Sequence, residues 1–241
     1  MNTLIEICVD TTEGLAEAIR GGAGRIELCS ALDLGGLTPS VGMMRRAAGA
    51  GVPIYAMIRP RAGDFVWTPD EIAVMEADIE AASACGMQGV VLGASRPDGR
   101  LDTDVLGLLI GRAKHMGLTL HRCFDLVPDF PAALEQAIEL GFQRVLTSGG
   151  ALTAAEGAAR LADLIAQARG RIIVMPGAGI SAESLGAFHA VPLREVHASC
   201  SSSVIDSGRL VDLGFAARIR RRTDGGRLRA LRAALAERET A

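Results

Sequence analysis

The chain has 241 residues, of which 49% are hydrophobic, and a formal net charge of −3. With aromatics at only 3%, this balance argues against a nucleic-acid partner, which needs a basic footprint or a known binding module. No run of ~18 apolar residues is present, so a membrane-spanning helix is excluded. The opening Asn2-Thr3, followed by Glu6 and Asp10, lacks the basic-then-apolar order of a signal peptide, and a cytoplasmic protein is expected.

Strand-like runs, short and apolar as buried parallel strands are, fall at Leu4–Val9, Arg25–Cys29, Pro53–Ile58, Gly89–Gly93, Leu118–Cys123, Arg144–Thr147, Arg171–Met175 and Glu195–Ala198. Helical segments lie between them. Thr11-Thr12-Glu13 opens the first with polar caps. Ser40 precedes the second. Thr68-Pro69-Asp70-Glu71 opens the third with a cap, a proline in the first turn and acids behind it. Asp102 and Asp129 begin the fourth and fifth, Thr153 with Glu156 forms a capping box for the sixth, and Ser181 with Ser184 opens a short seventh. A long loop is expected over residues 199–222, before a final helix capped at Thr223-Asp224.

Strand and helix thus alternate eight times, and no linker or shift of composition divides the chain. The spacing predicts a single (β/α)₈ barrel over residues 1–241. An open doubly wound sheet is the competing topology, but no Gly-x-Gly-x-x-Gly follows the first strand. The five cysteines, at 8, 29, 85, 123 and 200, are odd in number and form no Cys-x-x-Cys pair, so free thiols are expected. The basic concentration from Arg218 to Arg232 has no interleaved aromatics and reads as a solvated helix face.

Barrel active sites lie where the strands end, and alternate strand residues share a face. That parity sends Glu6, Glu27, Arg59, His121 and His197 inward, with Arg61, Asp64 and Asp125 on the loops above. Two histidines, acids and arginines in one cavity are the ingredients of acid–base catalysis. In that reading His121 or Glu27 takes a proton, His197 returns it, Arg59 stabilises an oxyanion and Asp125 orients. The alternative is a closed ion-pair lattice, such as Glu27 with Arg59, that only fills the barrel. Ser148-Gly149 after the sixth strand, Gly177 and Gly179 after the seventh and Ser199 after the eighth suggest a backbone anion site, with Arg61 adding charge. The glycines could equally serve only a tight turn. Cys8, Cys29, Cys123 and Met57 share the parity of the site and are soft ligands of the kind Cu(I) prefers.

The motifs, taken in order, resemble the CutC family, named for copper homeostasis. They are Arg25-Ile26-Glu27-Leu28-Cys29, Gly35-Gly36-Leu37-Thr38-Pro39-Ser40, Met57-Ile58-Arg59-Pro60-Arg61 with Gly63-Asp64-Phe65, His121-Arg122 with Phe124-Asp125, Leu146-Thr147-Ser148-Gly149, Pro176-Gly177-Ala178-Gly179 and Glu195-Val196-His197. The resemblance implies a cytoplasmic TIM-type barrel, a homodimer and a role in copper handling, with Cys8 and Cys29 as the Cu(I) ligands. Ala62 and the run Cys200-Ser201-Ser202-Ser203 depart from the family pattern. Two functions are therefore carried forward: copper binding, and an enzyme acting on a small anionic or phosphorylated metabolite.

Overall fold

The computed structural model describes residues 3–240. Eight parallel strands make up one sheet: β1 Leu4–Val9, β2 Arg25–Leu28, β3 Ile54–Met57, β4 Gly89–Leu92, β5 Gly117–Leu120, β6 Arg144–Thr147, β7 Ile173–Pro176 and β8 Glu195–Ala198. Ladders join them in sequence from β1 to β7, and β8 returns to pair with β1. β7 and β8 lie side by side at the seam without a ladder. The fold is a single (β/α)₈ barrel, as expected. Around it run α1 Thr12–Gly21, α2 Val41–Ala47, α3 Pro69–Ala84, α4 Thr103–Ala113, α5 Phe130–Glu139 and α6 Ala158–Ala168. The helices bury stripes such as Leu15 and Ala18, Met75 and Ile79, and Leu161 and Leu164 against the outward faces of the strands.

The caps fall where the sequence puts them. Thr11 Oγ1 accepts from the Gly14 N–H at 3.0 Å. Thr68 and Glu71 exchange bonds of 2.8 and 3.3 Å in a capping box, which satisfies two amides that a helix start leaves orphaned. Thr153 and Glu156 do the same at 3.1 and 3.3 Å, although α6 begins only at Ala158.

Three expected elements differ. The fifth strand stops at Leu120, and His121 instead caps a 3-10 turn over Arg122–Leu126. The seventh helix is a 3-10 turn at Glu183–Phe188. Residues 199–222 are not an irregular loop: β9 Ser201–Ile205 pairs antiparallel with β10 Ile219–Thr223, with the one-turn α7 Arg209–Asp212 between them. This ribbon exposes Ile205, Leu210, Leu213, Phe215 and Ile219. α8 Gly225–Thr240 then packs against α1.

The barrel interior beneath the mouth is a charge lattice. Arg25 bridges Glu6 and Glu195, and Arg144 Nε bonds Glu195 at 3.1 Å. Both guanidinium groups stack on the Tyr55 ring, 5.3 and 5.0 Å from its centroid. The ring fits because β4 and β5 present glycines to it. A Cβ on Gly117 would lie 1.9 Å from the Tyr55 hydroxyl, and one on Gly89 would lie 2.3 Å from the ring. A space-filling lattice therefore exists, but one layer below the site and without Arg59.

Candidate functional site

A cavity of about 350 Å³ opens at the C-terminal ends of the strands. Its first wall comes from β8, β1 and β2. Their register sets Glu6 beside His197 and Cys8 beside Glu27, so four side chains of one parity meet. Glu6 Oε1 lies 2.8 Å from His197 Nδ1, which turns Nε2 toward Glu27, 3.8 Å away. Cys8 Sγ, a Glu27 oxygen and a His197 nitrogen all lie within 4.8 Å of one another. The Cys29 thiol donates to Glu27 Oε2 at 3.5 Å. Glu27 Oε1 is buried and has no partner.

Charge on this wall is tightly shared. Burial alone would raise the Glu6 carboxyl, but the bond to His197 and the Arg25 charge outweigh it and hold the group at about 2. Burial works against a charged His197, yet Glu27 and Cys8 beside it carry its pKa well above the ordinary value. Burial pushes Glu27 up, only partly offset by His197. Burial and then Glu27 push the Cys29 thiol well up, so Cys29 is a proton donor here.

The second wall follows β3 and β5. Arg59 is 6% exposed, and its guanidinium donates to the carbonyls of Leu34 (2.9 Å), Gly36 (3.2 Å) and Gly63 (2.9 Å). The buried His121 accepts the Cys123 N–H at Nδ1, 3.2 Å. Phe65 lies between them, its ring centroid 5.0 Å from the Arg59 guanidinium and 4.7 Å from the His121 ring centroid. Burial and the Arg59 charge push His121 down to about 3.

Of the residues expected at the site, Cys8, Glu27, Met57, Arg59, His121, His197, Gly179 and Ser199 line the cavity. The others are engaged elsewhere. Arg61 pairs with Asp64 at 2.8 Å and with Glu71, and stacks on Trp67 at 4.9 Å. Asp125 is saturated. It accepts from Thr147 Oγ1, from the N–H and hydroxyl of Ser148 (3.0 Å each), and from the Gly150 N–H (3.0 Å), and it pairs with Arg122 at 2.7 Å. The Ser148-Gly149 loop thus does bind an anion, namely the chain's own carboxylate. The Gly177 N–H is spent on Thr147 O at 3.0 Å. Its glycine is a packing requirement, since a Cβ would lie 2.4 Å from Leu146. The N–H groups of Gly179 and Ser199 have no acceptor among the described residues. Cys123 belongs to the outer core, because strand parity ends at Leu120.

Two residues at the mouth escaped the sequence reading. Arg122 lines the cavity and bonds Ser148 Oγ at 2.9 Å; a strand running on to Cys123 would turn it to the face opposite His121. Arg221 reaches the cavity from β10. The basic run that contains it is the available signal, but Arg221 lies on a strand and not on a solvated helix face. No helix among the described residues is long and apolar enough to cross a membrane.

The family model for CutC matches residues 3–202. A CutC family protein of Sinorhizobium medicae is 58% identical over 234 residues, covering 96% of each chain. One of Rhizobium meliloti is 56% identical over 235 residues, covering 96% of this chain and 95% of the relative. A solved structure from Streptococcus agalactiae, named as a CutC for copper homeostasis, superposes with a TM-score of 0.76 at 30% identity. It covers 82% of this chain and 98% of its own.

Proposed function

The chain belongs to the CutC family, and from that premise we propose that it binds Cu(I) as cargo at the mouth of the barrel. The observation that carries this is the approach of Cys8, Glu27 and His197 to within 4.8 Å of one another. Thiolate and imidazole are the donors a soft monovalent ion favours. The residues fit such an ion in two further respects. Glu6 holds His197 by Nδ1, the outer carboxylate that fixes a metal-binding histidine's tautomer, and Glu27 Oε1 lies buried without a partner. Cys29 sits behind Glu27 as a neighbouring thiol rather than as the leading ligand. Competition against a Cu(I) chelator tests the reading. Cys8→Ser and His197→Ala are expected to weaken binding at least tenfold and Cys29→Ser less. Equal affinity in all four proteins would remove the site.

A second reading is favoured by a separate observation, the 3.8 Å approach of His197 Nε2 to a Glu27 carboxyl that is itself pushed up by burial. Such a pair can exchange protons with a bound substrate, and the substrate would be a small anionic metabolite. Solvent-deuterium exchange into a bound small carboxylate, lost in Glu27→Gln, tests it. The homodimer implied by the family resemblance would bury the apolar side chains exposed on the ribbon, including Leu210 and Phe215. Sedimentation at micromolar concentration tests that proposal.

A further inference from the structure

We infer that the Arg59–His121 wall of the cavity is a binding site for a small carboxylate. This names the ligand class of the second reading above and stands apart from the copper site. Arg59 carries a charge it cannot shed, and among the described residues no carboxylate lies within ion-pairing distance of it; its hydrogen-bond partners are three carbonyls. Glu6 and Glu195 hold Arg25, Asp64 holds Arg61, and Asp125 holds Arg122 and the Ser148 loop. Glu27, which lines the same cavity, meets His197 and Cys29 and makes no ion pair with Arg59. A buried charge without a counter-ion is unfavourable; three carbonyls and the Phe65 ring offset part of that cost, and an anion bound from outside would supply the counter-ion.

The donors that remain define the ligand. Arg59 Nε is buried and has no acceptor, and so is His121 Nε2. Because His121 Nδ1 accepts the Cys123 N–H, a neutral ring carries its proton on Nε2, and Nε2 is a donor. The low pKa of the ring, about 3, keeps it in that form. Arg59 and His121 both line the cavity of about 350 Å³, and between them they carry one positive charge and two buried, unspent N–H groups, which match one carboxylate. A phosphate monoester brings nearly twice the charge and three acceptor oxygens, more than this wall alone supplies, and would have to reach across the cavity to Arg221 and the N–H groups of Gly179 and Ser199. An uncharged ligand would leave Arg59 unpaired. With its carboxylate on this wall, the remainder of a small ligand faces Glu27, His197 and Cys8.

The only tryptophan of the chain supplies a reporter. Trp67 Nε1–H donates to Gly93 O at 2.9 Å, and its ring meets Phe65 edge-on at 6.2 Å, so a ligand on Arg59 and His121 is read through Phe65. Calorimetry and Trp67 fluorescence are followed with acetate, pyruvate, acetamide and inorganic phosphate. Saturable binding of the two carboxylates is expected, with acetamide and phosphate weaker. Arg59→Met and His121→Phe each remove a charge-linked or neutral donor and are expected to weaken carboxylate binding by about tenfold or more. If Arg59→Met does not fold, because Arg59 also ties three loop carbonyls, His121→Phe decides alone. No saturable carboxylate signal in the wild type, unchanged affinity in His121→Phe, or tighter binding of phosphate would each overturn the inference. Loss of deuterium exchange in Glu27→Gln with carboxylate binding retained would end the proton-transfer reading's alternatives to Glu27 and leave this site intact. Carboxylate binding without any exchange in the wild type would end that reading and also leave this site intact.

Discussion

Glu6 Oε1 lies 2.8 Å from His197 Nδ1 while its other oxygen pairs with Arg25. One fully buried carboxylate therefore supports both the imidazole of the site and the charge lattice beneath it. Truncating it to alanine leaves Arg25 with Glu195 alone and His197 without its orienting acceptor. Breaking a buried pair by removing one partner costs about 3–5 kcal/mol. Glu6→Ala is expected to lower the urea-unfolding free energy by that order. Glu6→Gln keeps the shape and an acceptor oxygen, so it should recover part of the stability while still weakening Cu(I) binding. A Glu6→Ala variant as stable as the wild type would show that the lattice does not depend on this residue.

His121 makes folding acid-sensitive. Its pKa is about 3 in the folded chain against an ordinary 6.5, through burial first and the Arg59 charge second. As pH falls through 6.5 the unfolded chain takes up the proton and the folded chain does not. Stability is then lost progressively toward pH 3, at up to about 1.4 kcal/mol per unit. Glu6, held at about 2, adds its own loss only below its ordinary value of 4.5. Between pH 4.5 and 6.5, the His121→Phe variant should show a flatter stability profile than the wild type, measured by denaturant unfolding at each pH. Parallel profiles would place the acid sensitivity elsewhere.

Tyr55 is wedged against two strands that have no side chain to offer it. A Cβ on Gly117 would meet the Tyr55 hydroxyl at 1.9 Å, and a ring clamped between Arg25 and Arg144 cannot swing aside. Overpacking of a core costs about 1–3 kcal/mol and sometimes more, so Gly117→Ala should sit at the upper end of that range. Adding Tyr55→Leu to Gly117→Ala should restore part of the loss, a coupling expected of residues in direct contact. Simple additivity of the two changes would mean that the ring is not the obstacle.

The extent to which the sequence disclosed this arrangement follows from what parity can and cannot carry. Inside strands, alternation is enough: Glu6, Cys8, Glu27 and His197 share a face because β1, β2 and β8 run through them or end beside them. Beyond a strand end it fails. Reading β5 on to Cys123 put that thiol at the site and sent Arg122 away, whereas the 3-10 turn at Arg122–Leu126 buries the first in the outer core and brings the second to the cavity. Glycine-rich loops carry a further ambiguity. Ser148-Gly149 looks built for an external anion, but Asp125, some two dozen residues earlier in the chain, fills it. Only the pairing of distant residues reveals this. The ribbon at 201–223 was hidden because Ser201–Ile205 and Ile219–Thr223 are polar, mostly exposed strands with no apolar alternation to mark them.

Asp125 provides the last prediction. Its carboxylate accepts from the Thr147 hydroxyl, from the amide and hydroxyl of Ser148 and from the Gly150 amide, and it pairs with Arg122. That set of bonds is what closes the β6 loop beside the mouth. Hydrogen bonds to a charged acceptor contribute about 1.5–3 kcal/mol each when measured singly, and bonds sharing one acceptor are not additive. A loss of about 3 kcal/mol in Asp125→Ala is therefore the expected order. In a chain of this size that lowers the melting temperature by roughly 6–12 °C. A local signature separates this from a general destabilisation. The amides of Ser148 and Gly150 should lose their protection in hydrogen exchange, while those in the middle of β1 and β2 keep theirs relative to the variant's own global stability. Because Asp125 does not line the cavity, acetate binding at Arg59 and His121 should persist in the folded variant. Loss of that binding with the loop amides still protected would mean that Asp125 acts on the ligand itself and not through the loop.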